Sequence, residues 1–349
     1  MKRFSFRTTT VAVAILILGA VPSTQADDCP TPGAQCPRPI QLGVSGINIF
    51  EVCSAGTLGA LVQLGADKVI LSNNHVLARE NAGVINMEPI VQPGTLDNSP
   101  QCVREERDIV GVLAHFIPID FSGGPNVLDI AFAATLPSLV DFSGSIARIG
   151  LVSTTPFPDV PPVGTLVKKQ GRTTGLTFGE ISAVNVTASV AYSSGTASFE
   201  NQYRIMPGSF SAGGDSGSLI VEDTASCPRA VGLLFAGSSE GTLANPLNQF
   251  LTFTGSNIVG DPTCPAAPAV QRAPDAAMSA AMAVHSSNKA SLLATPGVVG
   301  VGIGRDGASG APTLEIYVES DAEAARLALP SSLEGVPVRV IQTGKFVPF

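Results

Sequence analysis

The sequence predicts a mainly β protein with a small α+β unit in its C-terminal part. Glycine and proline are frequent, with 36 and 27 among 349 residues, and this composition favours short strands joined by tight turns. Hydrophobic residues make up 44% of the chain and charged residues only 14%, so we expect a packed structure rather than a disordered chain. The length predicts two or three packed units.

The first 26 residues are predicted to be a secretory signal peptide. Three basic residues precede an apolar run over 11–21 and a small-residue exit, as such peptides require, and the run is too short to span a bilayer. Removal of the peptide takes away those three charges and shifts the formal net charge from -8 to -11. A secreted acidic protein without a Lys/Arg cluster argues against nucleic acid or a membrane as its partner.

Six cysteines follow the predicted signal peptide, which indicates an oxidising compartment and disulfide bonds. Six cysteines allow fifteen sets of pairs, of which we favour one: Cys29 with Cys36, Cys53 with Cys102, and Cys227 with Cys264. The sequence contains no Cys-x-x-Cys pair and no Cys/His cluster at metal spacing. We therefore predict no metal site.

A Cys/Pro-rich leader is predicted over 27–45, followed by a first β-rich domain over 46–150. In that domain the segments ALVQL and KVILS flank the turn GAD and predict a β-hairpin. The hairpin ends in a polar cluster that contains His75, a position typical of functional side chains held on a rigid scaffold. The alternative is a hydrogen-bonded surface histidine. His115 lies inside a predicted strand and His285 in a predicted linker, both poorer settings.

Asp129 is a lone carboxylate in the apolar stretch LDIAFA. Burial of a carboxylate is costly unless it has a hydrogen-bonding partner, so Asp129 is the natural residue to orient an imidazole. Two alternatives remain: Asp129 is a turn residue at a strand end, or another aspartate has this role, namely Asp108, Asp120 or Asp141.

A second β-rich domain is predicted over 151–264 and contains the segment GGDSGSLI at 213–220. Glycines flank Ser216 in a turn before an apolar run, so its hydroxyl and the neighbouring backbone amides are exposed together. A nucleophilic serine needs a base, an orienting carboxylate and N–H groups directed at the developing oxyanion. One short helix is predicted to begin near Pro246.

The remaining chain is predicted to hold a linker over 265–285 and a small α+β domain over 286–349. Strands near 298–303, 313–319 and 336–341 surround a helix that begins at Asp321, and no catalytic cluster is visible. The last six residues, 344–349, form an apolar tail that either occupies the cleft of a neighbouring domain or packs as an edge strand. We favour the edge strand or simple packing.

The order His75, Asp129, Ser216 fits chymotrypsin-like enzymes and not α/β-hydrolases, which run Ser, Asp, His. The segments LSNNHVLA, LDIAFA and GGDSGS match three motifs of one family. Over about residues 45–255 the sequence thus resembles the trypsin-like (chymotrypsin-fold) serine peptidases of the secreted bacterial type. The resemblance implies two six-stranded antiparallel β-barrels and a cofactor-free serine endopeptidase that acts on protein or peptide substrates.

The resemblance also implies a role for individual residues. Ser216 would attack the scissile carbonyl, His75 would accept and return the proton, and Asp129 would fix the imidazole tautomer. The N–H groups of Gly214 and Ser216 would form the oxyanion hole. The segment GRTTG at 171–175 resembles one in bacterial members whose arginine pairs with the aspartate before the nucleophile.

We therefore expect an ion pair between Arg172 and Asp215, since a buried carboxylate needs a partner. The substrate pocket implied by the resemblance is lined by Phe210, Ser211 and Gly237. Nothing there matches the acidic pocket floor of trypsin, and we expect a preference for apolar or small side chains. Phe235 replaces a family serine, so the contact of that serine with the catalytic aspartate is expected to be lost.

A competing interpretation is a trypsin-fold binding or scaffold protein that does not use its catalytic residues and acts through its C-terminal domain. A third possibility is that this domain regulates the peptidase. Covalent labelling of Ser216 would distinguish an enzyme from a scaffold.

Overall fold

The computed structural model describes residues 29–98, 101–158, 160–265, 275–319 and 329–349. The predicted signal peptide lies outside the described residues, and so do residues 321–328 of the helix predicted from Asp321. Among the described residues no helix is long and apolar enough to cross a membrane.

The first half of the chain forms a closed antiparallel barrel. The elements of this half are β1 (Val44–Asn48), β2 (Gly56–Leu58), β3 (Ala60–Leu64), β4 (Asp67–Ser72), α1 (Asn74–Leu77), β5 (Pro89–Val91), β6 (Ile109–Phe116), β7 (Pro125–Asn126) and β8 (Ala131–Ala134). The helix α1 is a single turn, and the short strand β7 lies outside the barrel. The pairing order is β3-β4-β8-β6-β5-β1-β2. Only Gly59 separates β2 from β3, so these two act as one bent strand and the sheet closes with six strands.

The bend at Gly59 requires glycine, because a Cβ there would lie 1.8 Å from the carbonyl oxygen of Gly217. The two halves of the chain thus approach each other backbone to backbone, directly beside the turn that contains Ser216.

The second half forms another closed six-stranded barrel. Its elements are β9 (Leu166–Gly171), β10 (Gly175–Tyr192), β11 (Gly195–Met206), β12 (Leu219–Glu222), β13 (Ala230–Ser238) and β14 (Gly241–Pro246), followed by α2 (Leu247–Thr254) and β15 (Asn257–Ile258). The order β10-β9-β12-β13-β14-β11 closes through the pairing of β10 with β11. The predicted pair of six-stranded antiparallel barrels is confirmed, and so is the short helix α2.

The C-terminal α+β unit consists of α3 (Ala276–Leu293), β16 (Val298–Arg305), β17 (Pro312–Val318), β18 (Ser332–Leu333), β19 (Val336–Gln342) and β20 (Val347–Pro348). Its sheet has the order β18-β19-β17-β16, and β16 pairs with β10, so the sheet continues that of the second barrel. The helix α3 begins at Ala276, inside the range predicted as a linker. His285 lies in α3 and is buried, 5% exposed.

Apolar side chains fill the junction between the second barrel and the C-terminal unit. Phe199 and Phe235 come from the barrel, and Tyr317 and Phe346 from the C-terminal unit; all four are fully buried in one cluster. Burial of this kind stabilises the junction, since a buried aromatic side chain removes a large apolar surface from water.

The three disulfide bonds are Cys29–Cys36, Cys53–Cys102 and Cys227–Cys264, as favoured from the sequence. Within the described ranges, one group of residues has the spacing of a metal site: Cys227, Asp261 and Cys264. Its two sulfur atoms are bonded to each other, so the group is accounted for by the disulfide.

Candidate active site

His75 and Asp129 are held side by side by neighbouring strands. His75 lies in α1, directly after β4, and Asp129 lies directly before β8, which pairs with β4 through Ser72 and Ala131. The Nδ1 atom of His75 is 2.6 Å from Oδ2 of Asp129, and the His75 backbone N–H donates to Oδ1 at 3.2 Å. With Nδ1 engaged by the carboxylate, Nε2 is the imidazole nitrogen left to accept a proton.

Three further contacts fix Asp129, whose side chain is fully buried. The Tyr192 hydroxyl donates to Oδ2 at 2.8 Å, Asn245 Oδ1 accepts the Asp129 backbone N–H at 2.9 Å, and the Asn73 amide donates to the Asp129 carbonyl at 2.6 Å. The contact of a serine hydroxyl with this carboxylate was expected to be lost, because Phe235 replaces that serine. Tyr192 supplies a hydroxyl to the carboxylate instead. Sequence reasoning missed Tyr192 and Asn245, because both come from the other barrel and neither lies in a recognisable motif.

The environment of His75 favours its protonated form. Burial by itself lowers the pKa of the imidazole, but the charge and the hydrogen bond of Asp129 outweigh it and raise the pKa above its ordinary value of 6.5. Burial and the same carboxylate raise the pKa of Tyr192 well above 10.0. Tyr192 therefore stays protonated and remains a donor to Asp129.

Ser216 lies in the turn before β12 and is fully buried. Its hydroxyl donates to the Phe235 carbonyl at 2.9 Å and accepts the Phe349 N–H at 3.0 Å. Its backbone N–H donates to the Phe349 carbonyl oxygen at 3.2 Å. His75 Nε2 is buried and forms no hydrogen bond within the described part of the chain. The structure thus pairs His75 with Asp129, while the Ser216 hydroxyl is bonded to other groups.

Gly214 has a backbone φ of +97°, and a Cβ at this residue would lie 2.4 Å from Oγ1 of Thr173. The Thr173 hydroxyl donates to the Gly213 carbonyl at 2.6 Å, and the Thr57 hydroxyl donates to the Gly214 carbonyl at 2.9 Å. Because a trans peptide is planar, its N–H points away from its C=O, so the bond from Thr173 directs the Gly214 N–H away from that threonine. Sequence reasoning did not identify Thr57 or Thr173.

The predicted ion pair between Asp215 and Arg172 is wrong. Asp215 is fully buried and its cationic partner is Lys169, with 3.4 Å between Nζ and Oδ2. Arg172 lies beyond the end of β9, is partly exposed, and binds Asp97 through its guanidinium group, with Nε 2.8 Å from Oδ2. Lys169 lies within β9 and points into the barrel, which explains the exchange of partners. Burial lowers the pKa of Lys169, and the Asp215 charge opposes this effect.

The residues predicted for the substrate pocket lie around the second barrel. Phe210 is 1% exposed and belongs to the barrel core, against which Phe349 packs. Ser211 is buried and its hydroxyl bonds to that of Thr242. Gly237 faces the Phe349 ring, because a Cβ at Gly237 would lie 2.5 Å from it. Of the three predicted pocket residues, Gly237 thus adjoins the space that Phe349 fills.

The tail, residues 344–349, reaches the cleft beside His75 and Gly214 with Pro348 and Phe349. It is also an edge strand. Strand β20 pairs antiparallel with β13, Val347 opposite Gly237 and Pro348 opposite Ala236. Both interpretations left open by the sequence therefore hold at once: the tail pairs as an edge strand, as favoured, and it also occupies the cleft.

No protein-family model and no curated protein matches this chain. Among solved structures it is similar to a glutamic acid specific serine protease, with 19% identity and a TM-score of 0.44 over 63% of this chain and 100% of the other. Similar structures include Thermobifida fusca Protease A (18%, 0.41, 64% and 99%) and a chymotrypsin from Cellulomonas bogoriensis (21%, 0.40, 64% and 99%). The described residues of this chain form the mainly β, two-barrel architecture described above.

Proposed function

We propose that the protein is a secreted serine endopeptidase that hydrolyses peptide bonds through His75, Asp129 and Ser216. The three disulfides support secretion, because such bonds persist in oxidising compartments. The proposal needs no metal or cofactor, since serine, histidine and aspartate together supply the nucleophile, the base and its orienting group.

The contact of a backbone oxygen with the Ser216 amide is the observation that carries this proposal. A backbone oxygen of Phe349 accepts the Ser216 N–H at 3.2 Å, in a cleft where His75 Nδ1 is bonded to buried Asp129. The carbonyl of a substrate held in the same place would be polarised by this N–H donor and would lie next to the hydroxyl that attacks it.

In the proposed reaction, Ser216 Oγ forms a bond to the scissile carbonyl carbon while its proton passes to His75 Nε2. The Ser216 and Gly214 N–H groups stabilise the oxyanion. The C–N bond then breaks, the leaving amine takes the proton from His75, and an acyl-enzyme remains. A water molecule attacks this ester with His75 again as the base, which releases the acid and restores the serine.

Three other features support these roles. Asp129, fixed by Tyr192 and Asn245, keeps the imidazole in the tautomer whose Nε2 accepts a proton. An open cavity of about 310 Å³ next to His75 and Gly214, which includes Glu51 and Glu80 in its wall, offers room for the leaving half of a substrate. The fourfold hydrogen-bonded Asp215 anchors the turn before Ser216.

An active-site fluorophosphonate probe tests the proposal. Purified wild-type protein and Ser216→Ala are incubated with the probe, and the labelled peptide is identified by mass spectrometry. Labelling of Ser216 in the wild type alone is expected. If the full chain and a chain that ends at Phe346 are both folded and both remain unlabelled, the protein is instead the binding or scaffold protein considered from the sequence.

A further inference from the structure

The backbone of the tail, residues 344–349, binds this cleft as a peptide strand. Strand β20 extends the sheet edge at β13, and the Phe349 N–H donates to the Phe235 carbonyl at 3.2 Å. Main-chain pairing with a sheet edge is a common way to bind an extended peptide. With a backbone oxygen on the Ser216 amide, Phe349 lies where the acyl residue of a substrate would lie in the proposed reaction.

The side chain of Phe349 fills the neighbouring pocket. Its ring packs against the core of the second barrel that contains Phe210 and Leu234, and it covers Gly237 so closely that a Cβ there would be 2.5 Å from it. A pocket that accommodates a phenyl ring on apolar side chains selects aromatic or large apolar groups, because a charged group would lose its hydration without a partner.

The tail also engages the hydroxyl on which the proposed chemistry depends. The Ser216 hydroxyl is bonded to the Phe349 N–H and the Phe235 carbonyl, and His75 Nε2 is buried without a hydrogen bond among the described residues. A nucleophilic serine is activated by a hydrogen bond to its base. One rotation about χ1 would move the hydroxyl, once the Phe349 N–H no longer occupies it.

The C-terminal unit delivers the tail to the cleft. Phe346 is fully buried, its ring meets that of Tyr317 edge to face at 6.0 Å, and its carbonyl accepts the Ala191 N–H at 2.9 Å. Phe349 lies only three residues beyond this anchor. Because the connection is so short, the tail is present at the cleft at a high effective concentration.

We propose that the tail is a built-in ligand of the site, bound as the acyl half of a peptide substrate. This proposal rests on the proposed function and deepens it in two ways. The site takes peptides with an aromatic or large apolar residue on the acyl side of the cleaved bond. The tail competes with those peptides, and substrate enters only when the tail has left.

The test compares the full chain with a chain that ends at Phe346, which keeps the buried anchor. Both are assayed with the fluorophosphonate probe and with chromogenic Val-Pro-X anilides, where X is Phe, Ala, Glu or Arg. If the open form makes up a tenth or less of the full chain, shortening raises kcat/KM and the labelling rate about tenfold or more. The Phe substrate is expected to be cleaved at least about tenfold faster than the others, as expected for a selective pocket.

Matched variants keep the test valid if the shortened chain folds poorly. Phe349→Asp preserves the chain length and places a charge in the apolar pocket, so it should also raise the labelling rate. Phe253→Ala removes an aromatic ring from α2 that is 77% exposed, and it should leave the rate unchanged. Equal rates in the full chain, the shortened chain and Phe349→Asp would overturn the tail proposal and leave the peptidase standing.

Binding separates failure of the tail proposal from failure of the proposed function. A fluorescent peptide of sequence Phe-Val-Pro-Phe is titrated into Ser216→Ala forms of the full and shortened chains. Binding to the shortened chain alone supports the tail as the ligand, even if no chain is labelled or hydrolyses a substrate. Absence of binding to the shortened chain, shown to be folded, or equal binding to both chains would refute it.

Discussion

Tyr192 is expected to position the pair of His75 and Asp129, and Tyr192→Phe tests this by removal of one oxygen atom. The buried Asp129 carboxylate accepts three hydrogen bonds: from His75 Nδ1, from the His75 backbone N–H, and from the Tyr192 hydroxyl at 2.8 Å. The variant deletes one of the three and leaves the phenyl ring in place, with its contacts to Phe121 and Phe199.

The structure sets the size of the effect. A hydrogen bond to a charged group is worth about 1.5–3 kcal/mol. Each 1.36 kcal/mol in a reaction barrier changes the rate by about a factor of ten, so full expression of the loss in the transition state lowers kcat about 10- to 150-fold. KM should change little, because Tyr192 acts through Asp129 on the imidazole rather than on bound substrate.

The assay measures kcat and KM with a Phe anilide in the chain that ends at Phe346, with folding followed by denaturant titration. Tyr203→Phe is the matched control, because Tyr203 is a second buried tyrosine of the same barrel whose pKa is raised by burial alone. A kcat of Tyr192→Phe within twofold of that of Tyr203→Phe, at equal stability, would refute the positioning role.

Three other measurements follow from the site. Lys169→Met leaves buried Asp215 without its cation and should destabilise the fold by about 3–5 kcal/mol, so an unchanged denaturant midpoint would contradict the buried pair. Gly237→Val intrudes on the space of the Phe349 ring and should lower kcat/KM for Phe substrates about tenfold or more; equal cleavage would place the pocket elsewhere. Because the proposed base must be neutral and the pKa of His75 is raised above 6.5, kcat/KM should fall as the pH drops through that raised value, and a midpoint below 6.5 would oppose the assignment.

The raised pKa of His75 also predicts how the stability of the fold depends on pH. A folded-state pKa above the unfolded value means that protonation stabilises the fold. That contribution is fully present below pH 6.5 and is lost as the pH rises through the folded-state pKa.

The C-terminal unit contributes to the structure as well as to the proposed regulation. Its strand β16 covers an edge of β10, and Tyr317 and Phe346 share a buried cluster with Phe199 and Phe235 of the barrel. Removal of the whole unit would expose that edge and these rings, and exposed strand edges promote aggregation. For this reason the shortened chain retains Phe346, and removal of three residues is the sharper test of the tail.

The sequence by itself determined the features that depend on local pattern. Alternating apolar residues and turn glycines predicted two β-rich halves and the α+β unit, and the order of three motifs predicted His75, Asp129 and Ser216 as the residues of the site. The disulfide partners were also favoured correctly. Signals of this kind extend over a few residues, because side-chain alternation and turn geometry are properties of short segments.

Only the tertiary structure decided which distant groups meet. Lys169 and Arg172 lie three residues apart, and the sequence does not say which of them turns inward; the direction of β9 gives Asp215 to Lys169. Tyr192 reaches Asp129 because the β10–β11 hairpin crosses from the other barrel. Phe349 lies 133 residues from Ser216 along the chain and bonds to it, because β16 joins the barrel sheet and β19 leads the chain back to the cleft. Such contacts are set by how the sheets pack, and no local pattern encodes them.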